Sequence, residues 1–130
     1  MVHARTLLIA AAALPLALLP AGCIVAAAGA AAYGAHSYAN GAMEGIAGAT
    51  LDRTWRATLA TLQEMGLAIT SKIKDGGSAR IVAQTADRTQ IEIELTRRSG
   101  DMTKVSIRVG IFGDEAESRR ILHAIKSRLK

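Results

Sequence analysis

The sequence predicts a two-layer α+β fold, in which an antiparallel sheet of four or five strands carries two helices on one face, in the order (β)αββββα. Two observations lead to this prediction. Apolar residues recur every three or four positions in residues 51–65 and 114–129, and they alternate with polar residues in the segments between. Strands that bury one face need a cover, and two amphipathic helices supply it.

The first helix is predicted over residues 51–65. Thr50 suits the N-cap position, Asp52 suits the positive end of the helix dipole, and Gly66 is a natural stop. The optional fifth strand precedes this helix at residues 42–50. The apolar face of the helix consists of Leu51, Trp55, Leu59, Leu62 and Met65.

Four strands are predicted after this helix, because the apolar period changes from 3.6 to 2. The turn at residues 75–77 separates the first strand from the second, which covers residues 79–85. The last two strands alternate most clearly. The alternating apolar residues are Leu67, Ile69 and Ile73 in the first strand, Ile91, Ile93 and Leu95 in the third, and Val105, Ile107, Val109 and Ile111 in the fourth.

The register of the last two strands follows from keeping their apolar residues on one face. A two-residue turn at Ser99-Gly100 would mix the two faces, since a slip of one residue reverses every side chain. A three-residue loop, Ser99 to Asp101, avoids this. It opposes Leu95 to Val105, Ile93 to Ile107 and Glu92 to Arg108. The last of these is expected to form a cross-strand charge pair worth roughly 0.2–1 kcal/mol.

The second helix is predicted over residues 114–129. Asp114 with Glu117 three positions later resembles a capping box, and basic residues at its end suit the helix dipole. Its apolar face is expected to contain Ala116, Ile121, Leu122, Ile125 and Leu129.

Composition divides the chain into two unlike parts. Half of the 130 residues are hydrophobic but only 3% are aromatic. Of the 16 basic residues only Arg5 precedes Arg53, and all 11 acidic residues lie at or after Glu44. An uncharged Ala/Leu/Gly segment therefore precedes an ordinarily charged domain, which we assign to residues 42–130.

Residues 1–22 have the organisation of a secretory signal peptide: Arg5 in a basic start, an apolar run from Thr6 to Leu19, and small residues at the exit. The following Pro20-Ala21-Gly22-Cys23 resembles the lipobox of bacterial lipoproteins, with Pro20 where an aliphatic residue is usual. The resemblance implies cleavage between Gly22 and Cys23 and acylation of Cys23. Several acyl chains together give stable anchoring in a bilayer. Isoleucine after the cysteine resembles the enterobacterial sorting pattern for the outer membrane, on its periplasmic side.

Two alternatives remain for this segment. The signal peptide could be cut later, around residues 26–32, with Cys23 inert, or residues 6–32 could stay as an uncleaved anchor. Residues 23–41 are mostly Ala and Gly, and we interpret them as a tether between lipid and domain. Gly41 and Gly45 also form a GxxxG spacing, which permits close approach of helices in lipid.

The chain resembles a family of short bacterial lipoproteins that is catalogued as a domain of unknown function. The residues that carry the resemblance are the lipobox, the Gly/Ala segment, the helix start at residues 51–55, and residues 106–122 with their Gly-Ile-Phe-Gly-Asp segment. The resemblance covers nearly the whole chain after Cys23. It implies a small α+β lipoprotein and no activity.

The sequence offers no grouping for catalysis, for a metal or for a cofactor, and we expect none. Cys23 is the only cysteine, and only His36 and His123 follow it. We interpret His123 as a solvated residue of the second helix. Glu92 and Glu94 share a strand face but lie near basic residues, which indicates an ion-paired surface.

The two large rings of the predicted domain, Trp55 and Phe112, are expected in its core, and Gly110 and Gly113 are expected to serve the turn before the last helix. The Arg97-Arg98 and Arg119-Arg120 doublets either keep the domain soluble or contact anionic lipid headgroups or cell-wall polymers. Nucleic acid is not an expected partner, because an exported protein with so few aromatic residues lacks the features of such binders.

Two functions remain. The domain is either a non-catalytic interaction or structural module of the bacterial envelope, which could meet an envelope protein, or a periplasmic domain that holds a small apolar ligand between its helices and sheet. An interior cavity of several hundred Å³ would favour the second function.

Overall fold

The computed structural model describes residues 36–130. The predicted signal peptide, the Gly22/Cys23 cleavage and lipidation site, and residues 23–35 of the predicted tether lie outside the described residues. The elements, in chain order, are β1 (His36–Ala39), β2 (Ala42–Ala47), α1 (Leu51–Glu64), β3 (Ala68–Lys74), β4 (Ser78–Gln84), β5 (Gln90–Arg97), β6 (Thr103–Val109) and α2 (Glu115–Ser127).

The sheet is open and antiparallel, with strand order β1-β2-β6-β5-β4-β3, and the α+β class with two helices is confirmed. The predicted number of strands is wrong, because the sheet has six strands. The additional strand, β1, lies in residues that the sequence assigned to the tether. It pairs with β2 through the two-residue turn Asn40-Gly41, where both residues have positive φ (54° and 79°). Asn-Gly is a strong hairpin signal, but a four-residue strand is too short to show an alternating pattern.

The predicted register of β5 and β6 is confirmed. Leu95 faces Val105, Ile93 faces Ile107 and Glu92 faces Arg108. The expected charge pair is not formed, however, since each side chain has another partner, on β4 for Glu92 and in the β1–β2 turn for Arg108. Arg80 Nη2 lies 2.7 Å from Glu92 Oε1, and Arg108 Nη2 donates to the Asn40 carbonyl oxygen at 2.6 Å.

One face of the sheet forms the core, and both helices pack on it. Alternate residues of β4, β5 and β6 point into this face, and the residues between them point to the other face, here called the open face. Ala116 was expected on the apolar face of α2 but is exposed. The largest buried side chains of the core are Met43, Leu51, Leu62, Ile81, Ile91, Ile93, Leu95, Val105, Ile107, Ile121 and Ile125.

Helix α1 begins and ends as predicted, and its buried stripe contains Leu51 and Leu62 of the predicted apolar face together with threonines that were not expected there. Thr50 Oγ1 accepts from the Arg53 amide, and Gly66, at φ 70°, takes part in a Schellman motif at the other end. Trp55 and Leu59 are only half-buried, whereas Thr54, Thr58 and Thr61 are fully buried. Each threonine hydroxyl donates to the carbonyl four residues earlier, so none is left unpaired against the sheet.

Two predicted alternations end early. A register shift between Ile69 and Ser71 turns Ile73 onto the open face opposite Arg80, where it is 68% exposed. Strand β6 ends at Val109, because Gly110 takes φ 73° and leaves the extended conformation, so Ile111 lies outside the sheet.

The connection from β6 to α2 crosses closely over the β1–β2 turn. Gly113 has φ 81°, and a Cβ there would overlap the Tyr38 hydroxyl and the Gly41 carbonyl and lie 2.6 Å from Gly41 Cα. Asp114 then caps α2 by accepting from the Glu117 amide at 3.0 Å, as predicted. Gly41 is therefore part of a turn and Gly45 part of β2, where the glycine leaves room for Leu122 of α2, so the two do not form a helix-packing motif.

Replacing Gly113 with alanine tests this crossing. Gly100 is the matched control, because it also has positive φ (70°) but open space around its Cα. Both Gly→Ala variants lose the roughly 1–2 kcal/mol that a side chain costs in the left-handed conformation. Only Gly113→Ala must also displace the Gly41 backbone, so we expect it to lose about 1–3 kcal/mol more in urea unfolding followed by Trp55 fluorescence. Equal losses of unfolding free energy for the two variants would show that the β6–α2 connection does not cross closely over the β1–β2 turn.

Candidate functional site

The titratable side chains of the described residues do not gather into a metal centre. No group of three or more His, Cys, Asp and Glu residues within 36–130 could hold a metal ion. His123 is exposed, as predicted. The Glu92 carboxylate pairs with Arg80, and Glu94 faces Arg80 and Ser106 in the sheet register. This agrees with the predicted ion-paired surface.

The open face of the sheet is polar and charged. Besides Arg80 and Glu92, it carries an ion pair of 2.9 Å between Lys104 Nζ and Glu44 Oε1 on neighbouring strands. Such exposed pairs contribute little stability, typically about 0–1 kcal/mol. This face is a solvated surface on which opposite charges alternate.

The side chains between the helices and the sheet are shielded from solvent. Ile81, Ile93, Ile107 and Ile121 have no solvent exposure, and Leu122 has 2%. Two grooves that are lined by described residues are open to solvent at the surface. An apolar ligand between helices and sheet, which an interior cavity would favour, gains no support from this packing.

The most unusual surface feature is the loop of residues 110–113, here called the Ile111–Phe112 loop. Ile111 is 87% exposed and Phe112 is 92% exposed. The prediction that Phe112 lies in the core is therefore wrong, whereas Trp55 does pack against the core. The alternation of β6 suggested that the apolar pattern continues past Val109, but Gly110 ends it and the two side chains point away from the sheet.

The backbone of this loop is held at both ends. The Gly110 amide donates to the Gln90 carbonyl at 2.8 Å, and Gly113 lies against Gly41. Gly110 and Gly113 thus serve the turn, as predicted. The arrangement presents two large apolar side chains to solvent on a fixed backbone, and neither contributes to the core.

A groove of about 520 Å³ runs from Phe112 along the end of the sheet, past Arg108 and Arg88. Arg88 lies in the β4–β5 turn with φ 66°, a conformation that costs a residue with a side chain roughly 1–2 kcal/mol. Hydrogen bonds stabilise this turn, above all one from the Thr85 hydroxyl to Asp87, which lowers the pKa of the Asp87 carboxyl. The apolar loop is therefore bordered by charged side chains of both signs.

A second groove, of about 660 Å³, lies between the start of β1 and the exposed side of α2, and we call it the α2 groove. Six of its lining residues are basic or histidine: His36, Arg119, Arg120, His123, Lys126 and Lys130. No aspartate or glutamate of residues 36–130 is among its lining residues. The fold thus brings the two histidines and one arginine doublet together, whereas the exposed Arg97 and Arg98 lie at the β5–β6 hairpin.

Sequence reasoning missed both the Ile111–Phe112 loop as a surface and the α2 groove. Two glycines that flank a pair of large apolar residues, directly before an N-cap aspartate, were a signal for an exposed loop. The groove had a weaker signal, since Arg119, His123, Lys126 and Lys130 recur at helical spacing. The other side of the α2 groove is formed by His36, the first residue of β1, which belongs to the segment interpreted as a tether.

Neither helix of residues 36–130 is long and apolar enough to cross a membrane.

Comparison with known proteins identifies the family. No curated protein matches the chain. The family described as "Protein of unknown function (DUF3568)" matches residues 5–128, almost the whole sequence. The chain is therefore a member of the DUF3568 family of proteins of unknown function.

Proposed function

We propose that this protein is a lipid-anchored, non-catalytic interaction module of the bacterial envelope. In this proposal signal peptidase cuts between Gly22 and Cys23, and the acylated cysteine holds the domain at the periplasmic face of the outer membrane. The protein uses no cofactor and catalyses no reaction.

The anchoring rests on the sequence before the described residues. Residues 6–19 are uncharged and too few for a membrane-spanning helix, which needs roughly 20 residues. The small residues Ala21 and Gly22 lead directly to the only cysteine. A single acyl chain binds a membrane only marginally, so the several chains of a lipoprotein cysteine supply an anchor that the domain itself need not provide.

The interaction role rests on one observation, the exposure of Ile111 and Phe112 on a fixed loop. Phe112 is the chain's only phenylalanine, yet its side chain adds no buried area to the core and exposes a large apolar surface to water. Aromatic side chains of this kind are enriched where proteins bind partners. Charged groups around the loop, such as Arg88 and Arg108, would form the polar rim of the contact. We infer that the partner is an envelope protein.

Metabolic labelling with palmitate tests the anchoring. Wild-type protein is expected to take up the label and to fractionate with the outer membrane, and Cys23→Ala is expected to lose the label. Absence of label on the wild-type protein would end the lipoprotein proposal.

Site-specific photo-crosslinking in cells tests the interaction role. A benzophenone amino acid in place of Phe112 is expected to give a discrete crosslinked product with one envelope protein, because this position lies at the centre of the proposed contact. Ile73 is the matched control, since it is also a large apolar residue on the surface but belongs to edge strand β3. The same products from both positions, or none from position 112, would contradict the proposal.

A further inference from the structure

We propose that the α2 groove binds the phosphate groups of anionic phospholipids in the bilayer to which the protein is anchored. This inference rests on the proposed function, because it assumes a membrane next to the domain. It adds a lipid-recognition surface to the covalent anchor.

The first support is the charge of the groove. Arg119 and Arg120 form ion pairs within α2, to Glu115 and, at 3.7 Å, to Glu117. No ion pair joins Lys126 to a carboxylate of residues 36–130. Arginine presents a planar set of donors that matches phosphate, and lysine adds a mobile point charge, so this lining complements a phosphate-bearing surface.

The second support is the arrangement of these charges along the helix. Arg119, His123 and Lys126 follow one another at spacings of four and three, which places them on one face of α2. Lys130 lies just beyond the end of the helix and also lines the groove. Ile121 and Ile125 are buried on the opposite side of the helix. From Arg119 to Lys126 the face extends about 10 Å along the axis, which is enough to meet more than one headgroup. A row of cations on an exposed helix suits a planar anionic surface.

The third support is the position of the groove relative to the anchor. His36, the first residue of β1, lines the groove, and only 12 residues separate it from Cys23. Even a fully extended segment of this length spans at most about 45 Å. None of those 12 residues carries a charged side chain. The segment that leads from the anchor therefore joins the domain at the α2 groove.

Three exposed basic residues outside the groove lie on other elements than α2. Arg97 and Arg98 are near the β5–β6 hairpin, and Lys72 is on β3, the edge strand farthest from β1. Membrane attraction that depended only on net charge would use all of these residues equally. Recognition by the α2 groove would instead depend on its lining residues, such as Arg120 and Lys126, and this difference makes the proposal testable.

Vesicle binding tests the proposal without the acyl chains. The protein used is residues 23–130 with Cys23→Ala, which includes every described residue, and the vesicles contain phosphatidylcholine alone or an equal mixture with phosphatidylglycerol. Binding is measured by co-sedimentation. We expect binding to the mixed vesicles only, and a loss of about 10- to 30-fold in affinity for Arg120→Gln/Lys126→Gln, since each cation near an anionic surface contributes about fivefold.

The matched control is Lys72→Gln/Arg98→Gln, which removes the same net charge from residues that do not line the groove. It is expected to change the affinity less than about twofold, since its charges lie outside the groove and are screened beyond roughly 10 Å. Far-UV circular dichroism and thermal unfolding establish that both variants keep the fold.

Equal losses for the two pairs, or no preference for phosphatidylglycerol, would overturn the proposal. The assay does not use the Cys23 thiol, so its result is independent of palmitate labelling. If the protein takes up palmitate but shows no preference for anionic vesicles, lipid binding by the α2 groove is refuted and the lipid anchor stands. If the protein prefers anionic vesicles but takes up no palmitate, the lipid anchor is refuted and lipid binding by the α2 groove stands.

Discussion

The rows of buried side chains on β5 and β6, with Ile93 opposite Ile107 at their centre, are the part of the molecule on which the rest depends. Burying one such side chain stabilises the fold by about 1.5–3 kcal/mol, and the two central strands share their rows with β4 on one side and β2 on the other. Because only one face is buried, both helices must lie on it. The open face and the outer sides of α1 and α2 are then left to solvent and to partners.

Helix α2 connects this core to both candidate surfaces. Its buried side, with Leu122 close to Gly45, fixes its distance from β2, so its basic side stands next to the start of β1. Its N-terminus is fixed by the Asp114 cap and by the crossing of Gly113 over Gly41. The same crossing holds the Ile111–Phe112 loop in place. Two glycines and one cap therefore determine where Phe112 is presented and where the α2 groove opens.

The sequence predicted the features that depend on local chemistry. The Thr50 and Asp114 caps follow from side chains that accept backbone amides, and the β5–β6 register follows from keeping Ile93 and Ile107 on one face. It did not predict features decided by contacts distant in the chain. The burial of the α1 threonines is one of these features, because it depends on which side of the helix the sheet covers, although their hydroxyls are satisfied within the helix. Phe112 is expected in the core because a large apolar residue is usually buried, and nothing local shows that the next residue, Gly113, must pass close against Gly41. The α2 groove needed β1, whose four residues are too few to form a recognisable pattern.

Lysine footprinting on membranes tests most directly whether α2 is the side that faces the bilayer. The acylated protein is inserted into vesicles of phosphatidylcholine and phosphatidylglycerol, treated with an amine-reactive reagent, and compared with the same protein in neutral vesicles. Lys126 lines the α2 groove, and Lys72 lies exposed on the far edge strand. The account predicts that labelling of Lys126 falls several-fold in the anionic vesicles and that labelling of Lys72 stays unchanged. Unchanged labelling of Lys126, or an equal fall at Lys72, would contradict it.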